Sequence, residues 1–350
     1  MEKNKRLKGR KTKKILGTIL LCLIVLILCF VAYASFDTRN AGRSTSKEGP
    51  DEMSLSWMSG LSDSLMLSEV SLPGTHDSST KNIIFHYSFQ CQDTTIKEQL
   101  MNGFRFFDLR TALCTNDDGS AGLCMMHGPG HCKNEIGKNL TLREILADVY
   151  DFLEAHPSEG VVIMVSRERD ADSFDETRKV LYNEIALNKD KWYLGNTIPS
   201  IGEIRGKIVL ATRFYDGSFK EGVDPGLNLD SKSQGFKEIR DYFVEEQVIN
   251  LAGESIWVQN FSEYNYTTKW DFFKKVLDGN YTSEKSFLIN YLSTSRGYLF
   301  LPHPKVNASH LNPNLLSYPF EKGKSYGIIL VDFGTKEIAE KIYLTNFLGD

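Results

Sequence analysis

The sequence predicts an α/β chain folded as an irregular (β/α)8 TIM barrel. Three observations predict it. Eight short β-rich runs recur through the body, amphipathic helical runs separate several of them, and residues suited to proton and charge chemistry sit at the C-terminal ends of the runs. The runs fall at 66–72, 104–113, 122–127, 160–167, 207–214, 255–261, 286–293 and 326–333. The link between the second and third is too short for a helix, which makes the barrel irregular.

The first run leads into "SLPGTHDSST", where Pro73-Gly74 reads as a turn that delivers His76 and Asp77 to the barrel rim. The second, "GFRFFDLR", puts Asp108 and Arg110 two apart, on one face of a strand. The clearest helix is "TLREILADVYDFLEAHP". Its Leu142, Ile145, Leu146, Val149 and Phe152 recur at helical spacing, and Pro157 follows its end. A second helix is expected over 173–187.

The N-terminus is a targeting segment. Residues 1–14 form a basic head expected to stay cytoplasmic, and 15–34 form an apolar run of about the length a membrane span needs. That run serves either as an uncleaved anchor or as a signal-peptide core cleaved after Ala34, in the small-residue motif "AYAS". The body is expected to be exported in both cases. Residues 35–55 read as a linker, and 56–350 as one barrel without an internal repeat.

The apolar fraction of 41% is that of a globular chain. Beyond residue 34, 33 basic residues face 44 acidic ones, a net charge of -11. An acidic body with no basic stripe argues against nucleic acid as partner, and a monomer is expected. Export makes disulfides possible for the four body cysteines, with three possible pairings. Cys114 and Cys124 are symmetric about Gly119 in a turn-rich loop, which pairs them across a hairpin and leaves Cys91 for Cys132. The zinc-like spacing of Cys124, His127, His131 and Cys132 competes with those bridges and is set aside. The "DFG" at 332–334 has no Gly-rich loop or His-Arg-Asp loop to make it a kinase magnesium motif. The sequons at Asn139, Asn260, Asn265, Asn280 and Asn307 matter only in a glycosylating source.

His76 alone is equally well a histidine beside a capped turn. A second histidine, His127, at a neighbouring run's end makes a base and acid pair possible. Arg110 adds a planar fork suited to phosphoryl oxygens, Asp108 a carboxylate to orient it, and Asp332 a carboxylate at the last run's end. Arg167, Arg213 and Asn260 end the fourth, fifth and sixth runs.

Together these residues resemble the X region of bacterial phosphatidylinositol-specific phospholipase C. The matching stretches are "WMSGLSDSLMLSEVSLPGTHDSST", "IKEQLMNGFRFFDLR", "MMHGPG", "FLEAHPSEGVVIMVSRE", "RGKIVLATRF", "WVQN" and "YGIILVDFG", in family order across 57–334. The resemblance implies a distorted TIM barrel of the phospholipase C-like phosphodiesterase type. It also implies cleavage of phosphatidylinositol, at a membrane surface, into diacylglycerol and a cyclic inositol phosphate. It makes His76 the general base, His127 the general acid, Arg110 the stabiliser of phosphoryl charge and Asp332 the group that orients His76. Asp77 assists His127, and Asp108 holds the Arg110 region. Arg167 and Arg213 match basic residues on the inositol side. Calcium-dependent relatives carry an acidic metal ligand where Arg110 stands, so no metal cofactor is expected. The sixth run departs from the pattern: Asn260 replaces an acid, and Tyr264 stands two residues beyond the register of a stacking tyrosine. That leaves open another headgroup or phosphodiester, or a membrane-tethered binding module of the same fold with little catalysis. A metal-dependent glycerophosphodiesterase would need a cluster of carboxylates where Arg110 supplies a cation.

Overall fold

Eight strands in the computed structural model frame the body: β1 (Leu72–Thr75), β2 (Phe106–Thr115), β3 (Ala121–His127), β4 (Val161–Arg167), β5 (Ile208–Thr212), β6 (Glu254–Gln259), β7 (Phe287–Tyr291) and β8 (Ile328–Val331). The structure describes residues 13–29, 49–214, 217–220, 222–229, 237–241, 244–251, 254–279, 287–297 and 303–348. Two compact units divide the chain at Arg43 and Ser44. In the first, residues 13–29 are helical. No helix among the described residues is long and apolar enough to cross a membrane. An anchor over 15–34 is therefore not supported by the described residues. The basic head over 1–12, residues 30–34 with the "AYAS" cleavage motif, most of the linker over 35–48, and Asn280 lie outside the described residues.

Seven of the eight strands run parallel along one curled sheet in the order β5-β4-β2-β1-β8-β7-β6, an irregular TIM barrel. β3 is not a barrel stave. It pairs antiparallel with β2 from Thr111↔Met125 to Thr115↔Ala121, because a loop of a few residues can only turn the chain back. An antiparallel ribbon, Lys237–Asp241 and Val244–Leu251, extends β6.

The first strand begins later than the apolar run suggests. Residues 67–69 form a 3-10 turn, and β1 is Leu-Pro-Gly-Thr itself. Pro73 and Gly74 are therefore in the strand, not in a turn. A Cβ at Gly74 would stand 2.6 Å from Leu330 Cδ2 and 2.9 Å from Phe106 Cβ, so only glycine lets β1 pack between β2 and β8. The expected helices form with capping boxes or caps: Thr141 caps Leu142–Ala155, and Ser173 caps Phe174–Ala186. The assumed linker also ends sooner. Asp51 caps a short helix Glu52–Ser56 and pairs with Lys336 Nζ at 2.7 Å, so this stretch belongs to the barrel.

At the N-terminal end of the staves, Arg105 and Glu159 form a fully buried pair. Arg105 Nε donates to Glu159 Oε2 at 2.9 Å, and its other nitrogens donate to the carbonyls of Ser54, Leu55, Leu100 and Phe104. Glu159 also accepts from Met58 N. Every donor and acceptor is used, and the pair ties the helix Glu52–Ser56 to β2 and the start of β4. Truncating one partner leaves the other charge buried and uncompensated. Glu159→Ala should therefore cost about 3–5 kcal/mol in urea unfolding, and Arg105→Ala a similar amount.

Candidate active site

The C-terminal ends of the staves converge on a cleft lined by His76, Asp77, Phe89, Cys91, Arg110, His127, Asn260, Asp332 and the hydroxyl residues Ser88, Ser262, Ser293, Thr294 and Ser295, with Pro304. His76 and Asp77 directly follow β1. Asp77 sits at φ 42°, in the left-handed region that a non-glycine residue rarely adopts. That bend turns its side chain back under His76. Ser78 fixes the bend: its N–H donates to Asp108 O and its Oγ accepts from Asp108 N, both at 2.9 Å.

Asp77 is the hub. Its Oδ2 lies 3.2 Å from His76 Nε2 and 3.1 Å from His127 Nε2, and accepts from the Cys91 thiol at 3.7 Å. Its Oδ1 is ion-paired with Arg110 Nε. Burial alone would raise the Asp77 carboxyl, but Arg110, His127 and His76 hold it well below the usual carboxylate range. His127 is aimed from its other side by Phe89, whose carbonyl oxygen lies 2.8 Å from Nδ1.

His76 is held by two carboxylates. Its Nδ1 contacts Asp332 Oδ1 at 2.8 Å, while Nε2 faces both Asp77 and, at 3.2 Å, Arg110 Nη2. Burial lowers the imidazole, but Asp77 and Asp332 raise it further, to about 9. The contacts at Nε2 divide by proton state. A protonated ring donates to Asp77; a neutral ring with its proton on Nδ1 accepts from Arg110. Asp332 in turn is raised by burial and partly restored by His76.

Five of the expected residues meet around the cleft: His76, Asp77, Arg110, His127 and Asp332. Asn260 lines its far wall. Asp108 is buried below, where desolvation raises its carboxyl, and Arg110 opposes that rise. Arg213 is also below the surface, donating to the Tyr291 hydroxyl at 3.0 Å; the Tyr291 ring meets His76 edge-on. Two of the expected substrate-side residues, Arg167 and Tyr264, do not line the cleft. Arg167 turns away from the cleft, donates to the carbonyls of Asp170 and Asp172 and lies over the Phe174 ring, because the strand's alternation points it outward. Tyr264 stays 42% exposed and packs on Phe261 and Phe272. The Cys114–Cys124 bridge is present, but Cys91 and Cys132 are both free thiols. Cys91 faces Asp77, while Cys132 Sγ meets Ser79 Oγ at 3.8 Å.

Sequence reasoning missed two positioning residues. Glu168, directly after β4, contacts Arg110 Nη1 at 3.4 Å and accepts from Gly128 N at 2.7 Å, joining the arginine to the loop after His127. Its signal was a carboxylate at a strand end beside the chosen Arg167. Gln92 donates to the carbonyls of His76 and Val331 and accepts from Gly334 N, stapling β1 to β8 at their functional ends. No local pattern announces it.

A model of the phosphatidylinositol-specific phospholipase C X domain matches residues 72–214, the span that carries His76, Asp77, Arg110 and His127. Two relatives extend the likeness beyond that span. The 1-phosphatidylinositol phosphodiesterase of Staphylococcus aureus (strain NCTC 8325 / PS 47) is 26% identical over 333 residues, covering 92% of this chain and 94% of the relative. That of Listeria monocytogenes serovar 1/2a is 26% identical over 349 residues, covering 92% and 96%. The chain resembles the bacterial phosphatidylinositol-specific phospholipases C. Solved structures agree on the fold. A variant of the Staphylococcus aureus enzyme aligns with TM-score 0.70 at 24% identity, over 87% of this chain and all of the other. The Listeria monocytogenes enzyme aligns with TM-score 0.64 at 22%, over 84% and 98%.

The raised His76 carries a stability consequence. An imidazole at 6.5 when unfolded and about 9 when folded stabilises fully below pH 6.5, and loses that contribution as pH rises through 9. Chemical denaturation should show stability declining over that window. Asp332→Asn should flatten the decline, and NMR titration should find the His76 ring moved to lower pH in that variant.

Proposed function

We propose that this protein cleaves phosphatidylinositol, or a closely related inositol lipid, at a membrane surface by histidine acid–base catalysis. The observation that carries the reading is the pair of imidazole Nε2 atoms at one buried carboxylate oxygen, with the Arg110 fork beside them. His76 takes the proton of the inositol 2-hydroxyl, whose oxygen then attacks phosphorus. The phosphorus–glycerol oxygen bond breaks as His127 gives its proton to the departing oxygen. Diacylglycerol and a cyclic inositol phosphate result. Arg110 offsets charge on the phosphoryl oxygens, Asp332 keeps the His76 lone pair directed into the cleft, Asp77 holds both rings, and Asp108 backs Arg110 from below. Asn260, with the hydroxyls of Ser262, Ser293, Thr294 and Ser295, gives the headgroup wall neutral hydrogen-bonding groups, which suits a polyol. Arg213 acts behind that wall through Tyr291.

The body works outside the cytoplasm as a monomer, without nucleic acid and without a metal cofactor. A basic head ahead of an apolar run, the Cys114–Cys124 bridge and the acidic body support this. Ile84 and Phe85, 50% and 67% exposed, stand just before the helix His86–Phe89 that supplies Ser88 and Phe89 to the cleft. Such apolar side chains at a rim suit a lipid surface.

Purified protein should release diacylglycerol from phosphatidylinositol vesicles in excess chelator. His76→Ala and His127→Ala should each lose on the order of 10²–10⁴ in rate. Turnover abolished by chelator and restored by calcium would refute the metal-free chemistry. Its pH profile should be bell-shaped, with the rising limb set by His76 and shifted to lower pH in Asp332→Asn. In vesicle sedimentation, the Ile84→Ser, Phe85→Ser double variant should bind about tenfold or more weakly, since each buried apolar side chain is worth roughly 1.5–3 kcal/mol.

A further inference from the structure

The Cys91 thiol has no part in that chemistry, yet it is buried at the cleft wall and aimed at the hub carboxylate. We propose that His76, Asp77 and Cys91 form an inhibitory binding site for a soft divalent cation, of which Zn2+ is the type. One donor atom from each, a ring nitrogen, a carboxylate oxygen and the sulfur, lies within 4.8 Å of the other two. A tetrahedral zinc ion with bonds of about 2.0–2.3 Å separates its ligands by about 3.3–3.6 Å. From Asp77 Oδ2, His76 Nε2 stands at 3.2 Å and Cys91 Sγ at 3.7 Å, so each of these two separations is within a few tenths of an ångström of the tetrahedral value.

Two further features favour the ion. Asp332 against His76 Nδ1 at 2.8 Å is the outer carboxylate that zinc-binding imidazoles use to fix the tautomer and present Nε2. Arg110 Nε pairs with Asp77 Oδ1, which leaves Oδ2 as the oxygen presented to His76 and Cys91. On binding, Arg110 Nη2 gives up His76 Nε2 while Nε and Nη1 keep Asp77 and Glu168. The sulfur's proton leaves to solvent as the Zn–S bond forms, which overcomes the burial that keeps the free thiol protonated. The fourth position stays open to water. Calcium and magnesium, which select oxygen ligands, do not fit this donor set.

Metal binding stands on the donor geometry alone; inhibition rests on His76 acting as the base proposed above. The test uses full-length protein carrying Cys22→Ser and Cys29→Ser, which removes the exposed thiols. Titration with Co2+ should give one equivalent bound, with a thiolate-to-cobalt charge-transfer band. Cys91→Ser should abolish the band and Cys132→Ser should retain it, with matching circular dichroism confirming that each variant folds. Zn2+ should displace the cobalt and suppress diacylglycerol release, with recovery on chelation. Cys91→Ser should raise the half-inhibiting zinc concentration by about tenfold or more. A band that persists in Cys91→Ser, or zinc sensitivity equal to the parent's, overturns the site. A protein that shows the Cys91-dependent band but cleaves no inositol lipid keeps the site and refutes the proposed activity.

Discussion

A single buried carboxylate, Asp77, governs the arrangement of the cleft. Desolvation opposes its charge, and the surroundings answer with a guanidinium, two imidazoles and a thiol. Each of those groups comes from a different part of the chain, so the charge of one residue draws β2, the end of β3 and the segment before Gln92 onto the end of β1. The cost is visible in the backbone: Asp77 holds a left-handed conformation, and Phe333, beside Asp332, does too at φ 49°. Strained residues of this kind persist where surrounding contacts over-determine them, and here the contacts are those of Ser78, Gln92 and Asp108.

The barrel separates stability from chemistry by its two ends. Beneath the staves, Arg105 and Glu159 satisfy one another and five backbone groups in a closed network. Above them, charges are paired but partners are shared: Asp77 Oδ2 serves three neighbours, and His76 Nε2 has two partners that suit different proton states. A network with spare partners can change state without unfolding, which a saturated one cannot.

Much of this was legible in the sequence because chemistry-bearing residues at strand ends share one face of a barrel. His76, Asp77, Arg110, His127 and Asp332 all met where that rule put them. The failures have a common physical origin in local geometry that spacing does not encode. At the end of β4 successive side chains point to opposite sides, so Glu168 faces the cleft where Arg167 was expected. Pro73-Gly74 has turn chemistry, yet close packing against Phe106 and Leu330 claims it for a strand. The staple made by Gln92 depends on three backbone groups brought together by the fold, and no sequence pattern could list them.

The Cys114–Cys124 bridge closes a hairpin whose ends are ten residues apart. Loops of this size close in tens of nanoseconds, long before strands distant in sequence can assemble. Oxidation is therefore directed by chain proximity, and it consumes the two thiols that would otherwise compete for Cys91 and Cys132. The latter pair is shielded next by burial, which pushes Cys132 up to about 12 and raises Cys91 well above its usual value. A chain oxidised before the hairpin forms would pair Cys91 with another thiol and hold it away from Asp77. Early closure of the hairpin therefore leaves Cys91 free to reach Asp77.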